Sequence, residues 1–394
     1  MATYLNRTPS GASNRKTWTF STWLKRSKLG TGSCFFQCGA GTVEFGAYFM
    51  ANDTLEVYEY DSGSFRFQYK TDQRFKDVSA WYHIVIACDT TQASASDRVK
   101  IYVNGSQITD FSTATNPSQD QDTSVNSTLP NVLGAFHALS SGFYLGYMSQ
   151  TILVDGTALT PSSFGSTNAN GMWISNSGPS LTYGTNGFKL DYTGTGASAD
   201  ASGFGADSSG NGNHFASTSL GTNPNATDTP ENSFCTLDSE QGIFVSTNTF
   251  SEGNTKIVTD GSASYCFVNG TMGFGAGKWY WEMKAISKSG GSDWYGTGVM
   301  CSTPNTATDY GGGDVGASGA SGCYYYGYGQ IRVNGATPNT YAAYTAGDVV
   351  SVAMDCDNEA IYFAKNGVWQ NSGVPTSGAS TTGGQGVTSP TLRS

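Results

Sequence analysis

Residues 81–109 read WYHIVIACDTTQASASDRVKIYVNGSQIT, and this stretch decides the fold. Trp81–Cys88 is a continuous apolar run of the length that a sandwich-core strand requires. After a polar spacer, Val99–Ile108 reads as a hairpin with Asn104-Gly105 at its turn, because Asn-Gly readily takes positive φ at both central positions. Working outward, Thr17-Trp-Thr-Phe-Ser-Thr-Trp-Leu alternates, with Trp18 and Phe20 on one face and Thr19 and Ser21 on the other. Phe65-Arg-Phe-Gln-Tyr alternates as cleanly. Strands at this spacing, separated by turn signals, predict a β-sandwich over residues 1–193.

The whole chain agrees with an all-β reading. Its 394 residues suit two or three domains. Glycine supplies 51 of them, aromatics reach 13 % and charged residues only 13 %, a mix suited to short strands and tight turns. Glycine has no period of three, which excludes collagen, and the aromatic content excludes disorder. No run approaches the ~18 apolar residues of a membrane span. The opening MATYLNRTPSGASNRKTW has no apolar core, so no secretory signal is expected.

Net charge is −10 and unevenly placed. Residues 1–190 hold 13 basic and 13 acidic groups, whereas residues 191–394 hold 7 and 17. The acidic half repels phosphates and anionic lipid, which argues against nucleic-acid partners and membrane insertion. Arg7, Arg15, Lys16, Lys25, Arg26 and Lys28 all precede the first acid, Glu44. They read either as a solvated strand edge or as a docking patch, for which Lys16, Lys25, Arg26 and Lys28 are the candidates.

Residues 194–260 form a Gly/Ser/Asn-rich connector too poor in large apolar residues for a core of its own, so it should drape over its neighbours. Residues 261–394 return to strands. Lys278-Trp-Tyr-Trp-Glu-Met-Lys places Trp279, Trp281 and Met283 on one face. A meander then runs from Gly347 through Ala360-Ile-Tyr-Phe-Ala-Lys to a turn at Asn366-Gly367. The fold class expected is two antiparallel jelly-roll-like β-sandwiches joined by a long connector.

Residues 81–109, with TWTFSTWLKR near the start and GYMSQTILVDGTALTPSSFG at 146–165, resemble the concanavalin A-like, laminin-G-like family. GKWYWEM (277–283), GTGVM (296–300) and GDVVSVAMDCDNEAIYFAKNGVW (347–369) are similar to SPRY domains in their usual order. Only NSGVPTSGASTTGGQGVTSPTLRS follows, so the expectation is that the chain is a fragment, or that a partner supplies the last strands, or that the sandwich is incomplete at its C-terminal end. The connector motifs at Tyr183–Phe188, Asp207–His214 and Thr227–Phe234 resemble those of tailed-bacteriophage virion proteins that carry this pair of modules. That resemblance implies a virion surface protein of tail-fibre or adhesin type, assembled in the host cytoplasm. Its implied partners are other virion proteins, a host-surface glycan or protein, and further copies of the chain. A head-fibre or capsid-decoration subunit without a ligand is the alternative, and a glycan-degrading enzyme is a third reading.

Chemistry is harder to find. Retaining glycosidases need two carboxyl groups ~5–5.5 Å apart. The nearest run is Glu56-Val-Tyr-Glu-Tyr-Asp61, where Glu59 and Asp61 share a face opposite Glu56; a solvated strand face is the simpler reading. His83 lies in an apolar strand, and His137 and His214 lie in loops with no nucleophile marked beside them, so no catalytic residue is assigned. GGGDVGASGASG (311–322) lacks the Gly-Lys-Ser/Thr ending of a phosphate loop. Of the eight cysteines, Cys34 and Cys38 should share a strand face as buried thiols. No cofactor is expected, with calcium as the one candidate. Asp207, Ser209 and Asn211 place oxygens at positions one, three and five of a calcium-type loop, but Thr218 stands where the bidentate acid belongs.

Binding is the better prospect. Tyr324, Tyr326 and Tyr328 share a face if their run is a strand, with Trp294, Tyr295 and Asn334 near the same end. Aromatic faces stack on sugar C–H faces, and tyrosine adds a hydroxyl.

Overall fold

The computed structural model describes residues 3–176, 178–220, 225–244, 248–259, 266–287, 295–300, 322–333 and 336–387. Two compact units divide the chain: Met1–Glu240 with Phe250–Lys256, and Gln241–Thr249 with Ile257–Ser394.

In the first unit the strand Thr17–Arg26 pairs antiparallel with Trp81–Asp89 on one side and Gly146–Asp155 on the other. Phe188–Leu190 lies beyond Gly146–Asp155, and Val99–Val103 and Ser106–Gln107 extend the opposite edge, making six strands. Alternation sends Trp18, Phe20, Leu24, Ile84, Ile86 and Cys88 into the main core. The opposite face is covered as well: Val85, Ile152 and Val154 pack with Phe164 from the segment that follows. Burial on both faces is why Trp81–Cys88 is apolar throughout. His83 sits in this second layer, between Trp23 and Trp173 at ring distances of 4.7 and 6.0 Å. Trp173 Nε1 donates to His83 Nδ1 at 3.0 Å, which leaves Nε2–H to donate to Ser21 Oγ at 2.9 Å. Burial holds this imidazole neutral by lowering its pKa to about 3. At the hairpin, Asn104 and Gly105 take φ of 48° and 82°, both left-handed as expected.

The facing sheet has eight strands in the order Phe111–Thr115, Ser64–Arg74, Thr54–Asp61, Val43–Phe49, Ser33–Ala40, Asn131–Leu133, Tyr4–Arg7 and Ala216–Thr218. Its inner face supplies Phe36, Phe45, Ala47, Phe49, Leu55, Val57 and Phe67 to the core. Cys34 and Cys38 do not share a face. A bulge between Cys34 and Phe36 shifts the register, so that Cys34 stands opposite Tyr48 and Cys38 opposite the core residue Phe45. Both thiols are buried, and burial drives both pKa values up.

Residues 194–240 belong to this unit. Phe215 enters its core and Ala216–Thr218 pairs with Tyr4–Arg7. Asp228 accepts from Lys25 Nζ at 2.6 Å and from Trp81 Nε1 at 2.7 Å, fastening the Thr227–Phe234 motif down.

In the second unit one sheet runs Lys278–Lys284, Val349–Asp355, Ala360–Lys365, Val368–Trp369, and the other runs Gly296–Met300, Gly322–Tyr326, Gln330–Val333, Ala336–Thr340. Both contribute to one core, with Tyr325 and Ile331 meeting Val350, Val352, Ile361 and Phe363. The segment after the Asn366-Gly367 turn still builds structure. Gln385–Gly386 pairs with Ala360 and Ile361, and Val387 enters the core. The described residues are thus nearly all-β, in multiple antiparallel sheets, and no helix among them is long and apolar enough to cross a membrane.

Candidate functional site

The outer face of the eight-stranded sheet carries a groove of roughly 240 Å³ lined by Glu44, Tyr48, Glu56, Tyr58, Tyr60 and Phe65. Strand alternation puts these residues there, since Phe45, Ala47, Phe49, Leu55 and Val57 take the inner face. Register then sets them in three rows across the strands. Gln37, Gly46, Tyr58 and Gln68 stand opposite one another, as do Tyr48, Glu56 and Lys70, and as do Glu44, Tyr60 and Phe65. A Cβ on Gly46 would lie 2.4 Å from the Tyr58 ring, so only glycine lets that ring lie flat across the neighbouring strand. Edge-to-face contacts link Phe136 to Tyr48 (5.4 Å), Tyr48 to Tyr58 (6.0 Å), Tyr58 to Phe65 (5.7 Å) and Phe65 to Tyr60 (5.1 Å). The result is a continuous aromatic ladder in which Phe65, between Tyr58 and Tyr60, is exposed.

Two carboxylates lie beneath the rings. Glu44 accepts from the Tyr58 hydroxyl at 2.7 Å and from Gln37 Nε2 at 3.1 Å, and His137 Nδ1 lies 2.8 Å away. Glu56 accepts from the Tyr48 hydroxyl and from Gln68 Nε2 at 2.5 Å, with Lys70 Nζ at 3.7 Å. Burial, reinforced by these bonds to carboxylates, pushes both tyrosine pKa values up, so their protons stay on oxygen. The arrangement presents ring faces and fixed acceptors in one shallow cleft.

The acidic run 56–61 therefore departs from a solvated strand face. Glu59 points into the core, where Ser124 N–H (2.9 Å) and the Ser124 hydroxyl donate to its Oε1. Burial lifts its pKa to about 7. Glu56, on the opposite face, is buried beneath the ladder, and Asp61 pairs with Arg66 at 2.9 Å.

The basic patch is corrected in part. The Lys25 and Arg26 side chains are each 1 % exposed and cannot dock a partner. Lys25 is held by Asp228, and Arg26 by Asp53 at 3.0 Å with its guanidinium over the Phe49 ring. They lie at the end of a strand whose two faces are both covered. Lys16, paired with Asp120 at 3.3 Å, and Lys28 remain accessible.

The Asp207 loop closes on itself. Asp207 accepts from Lys189 N–H (2.9 Å), Ser209 N–H (2.9 Å), the Ser209 hydroxyl (2.9 Å) and Asn213 N–H (2.8 Å). The Asn211 amide donates away from it, to the carbonyls of Gly184 and Gly187. These bonds make it a turn that ties residues 184–189 to the connector.

In the second unit Tyr325 is core, at 4.9 Å from Tyr344 and 5.6 Å from Phe363. Tyr326 stacks on Tyr328 at 5.5 Å and is buried, while Tyr324 is half-buried beside Phe267. Tyr295 packs edge-on against Tyr344 and donates to its carbonyl at 2.9 Å. Trp294, Asn334 and residues 311–321 lie outside the described residues. Tyr295 thus packs against the core, whereas Tyr324 and Tyr326 take the face opposite Tyr325, with Tyr326 buried against Tyr328 and with Tyr324 and Tyr328 half-buried. The first unit gathers a larger aromatic cluster on an outer sheet face. Period-2 alternation in 44–48 and 56–60 was the available signal for that groove; the pairing of Gly46 with Tyr58 had none.

Residues 3–163 match the family model described as the concanavalin A-like lectin/glucanases superfamily. Among curated proteins nothing matches the chain. Similar solved structures include a heptameric SAP-like pentraxin from Limulus polyphemus, at 15 % identity and TM-score 0.31, over 45 % of this chain and 86 % of that one. A carbohydrate-binding protein from Bacteroides ovatus, described as such without proof, is 15 % identical at TM-score 0.34, over 55 % of this chain and 56 % of its own. Mouse laminin α1 domains LG4-5 are 9 % identical at TM-score 0.30, over 93 % of this chain and 74 % of theirs. Together the family match and the paired six- and eight-stranded sheets make residues 3–163 the main part of a concanavalin A-like, laminin-G-like sandwich.

Proposed function

We propose that the protein is a non-catalytic glycan-recognition protein and that the groove of its first unit is the binding face. The observation that carries this reading is the ladder Phe136–Tyr48–Tyr58–Phe65–Tyr60, set over fixed acceptors on an open sheet face. Ring faces pack against sugar C–H surfaces, and carboxylate and phenol oxygens accept from sugar hydroxyls. The connector motifs support a place on the surface of a tailed-phage virion, assembled in the host cytoplasm, with residues 261–394 as a SPRY-like second module. In that setting Lys16 and Lys28 are what remains of the docking patch toward other virion proteins.

The test is a glycan array probed with the full chain and with Phe65→Ala and Tyr60→Ala. Binding that falls about tenfold or more in both variants is expected, since one aromatic contact is worth on the order of 1 kcal/mol beyond its buried area. Binding unchanged in both would remove the groove from the reading. Release of new reducing ends from a bound glycan, lost in Glu56→Gln, would replace recognition by hydrolysis.

A further inference from the structure

We infer that the groove selects ligands that carry a protonated amine. This rests on the groove being the binding face, as proposed above, and adds the chemical class it takes.

Hydrogen-bond accounting leads there. Each phenol has one proton, and those of Tyr48 and Tyr58 are committed to Glu56 and Glu44. Gln37 Nε2 turns both of its protons inward, to Glu44 and to the Tyr58 oxygen at 3.1 Å. What Tyr48, Tyr58, Glu44 and Glu56 can still offer a ligand is lone pairs. A neutral sugar hydroxyl brings one proton to such a surface; an ammonium brings three and a full charge.

Charge points the same way. Two carboxylates line the groove, their side chains only 19 % and 4 % exposed, and Lys70 Nζ offsets one of them from 3.7 Å. Lys70 and the His137 imidazole, 2.8 Å from Glu44, are the basic groups that face these two carboxylates. The setting is partly desolvated, where attraction between a carboxylate and a cation is stronger than in water. The ring faces of Tyr48, Tyr58, Tyr60 and Phe65 add cation–π attraction for the same group. Uronic and sialic acids meet the opposite balance and are repelled. An amino sugar and an ethanolamine-type headgroup share the required chemistry.

The experiment is titration calorimetry on the full chain, slightly below neutral pH and at low salt. The probes are a glucosamine tetramer, its fully N-acetylated counterpart and ethanolamine. The expected result is binding of an amine-bearing probe about tenfold or more tighter than the N-acetylated sugar. That margin should shrink as salt rises. Preference for the tetramer over ethanolamine identifies the amino sugar as the source, and the reverse identifies the headgroup. In Glu56→Gln the margin between amine-bearing and N-acetylated probe should collapse, whatever the change in either affinity alone; the wild-type comparison stands even if that variant folds poorly. N-acetylated sugar bound as tightly as the amine, and lost in Phe65→Ala, overturns the amine preference and leaves glycan recognition standing. Failure of every probe here, together with a silent glycan array, overturns both.

Discussion

Replacing Glu59 with Gln should make the first unit more stable at alkaline pH and leave it nearly unchanged in acid. The carboxyl is buried, only its Oε1 is bonded, through Ser124, and Oε2 has no partner. Desolvation raises its pKa to about 7 from 4.5, against the two Ser124 hydrogen bonds and the pull of Arg15 and with a push from Asp61. A raised folded-state pKa means that the fold binds this proton more tightly than the unfolded chain does. The stability so gained is fully present below pH 4.5 and is lost as pH rises through about 7. At about 1.4 kcal/mol per tenfold change in proton affinity, the loss amounts to about 3 kcal/mol. Gln keeps the Oε1 acceptor without the charge, so at pH 8 the variant should gain about that much relative to its standing at pH 4.5. For a unit of this size the gain is a melting shift on the order of 6–12 °C. Scanning calorimetry of both proteins at several pH values reads it directly. Comparing the two proteins cancels every other titrating group, including His83. A stability difference that does not change between pH 4.5 and 8 would refute the assignment of a buried, proton-binding Glu59.

Asp228→Ala leaves the Lys25 ammonium, in a site 1 % exposed, with only the neutral acceptors Phe234 O and Ser233 Oγ, which should cost about 3–5 kcal/mol in chemical denaturation. Lys25→Met combined with Asp228→Leu should recover most of that, and a loss below 1 kcal/mol in the single variant would contradict the buried pair. Gly46→Ala drives a Cβ into the Tyr58 ring; glycan affinity should fall about tenfold or more, at a stability cost of about 1–3 kcal/mol, and unchanged affinity would free Tyr58 from the site. His83 titrates with the opposite sign to Glu59. Its lowered pKa gives stability that is present above pH 6.5 and lost as pH falls toward 3, so the acid limb of a denaturation profile should flatten in His83→Asn, and an unaltered limb would speak against a neutral stacked imidazole.

Much of the fold was legible in the order of residues, because strand alternation and turn chemistry are local. The Asn104-Gly105 turn, the Trp18/Phe20 face and the Val349–Asp355 to Ala360–Lys365 hairpin follow from period-2 patterning and from positive φ at Asn-Gly. The family likeness over the first module rested on the same local strings. Alternation also separated Glu56 from Glu59 correctly, yet not which of the two faced water, since neither does.

Those outcomes depended on which distant segment came to lie on each face. Lys25 and Arg26 look like a basic surface until Asp228, two hundred residues on, and Asp53 enclose them. One bulge at Phe35 sent Cys34 and Cys38 to opposite faces, an event that no count of two can register. The groove is likewise a product of register: Gly46 beneath Tyr58, Tyr48 against Glu56 and Glu44 beside Tyr60 are neighbours only because adjacent strands pair at that offset. The amino-acid sequence by itself determined strands, turns and the sandwich class, because these are set within a few residues. Which carboxylates are buried, which cations are free and where aromatic rings meet acceptors was decided by long-range pairing, because burial and hydrogen bonding belong to the partner segment as much as to the residue.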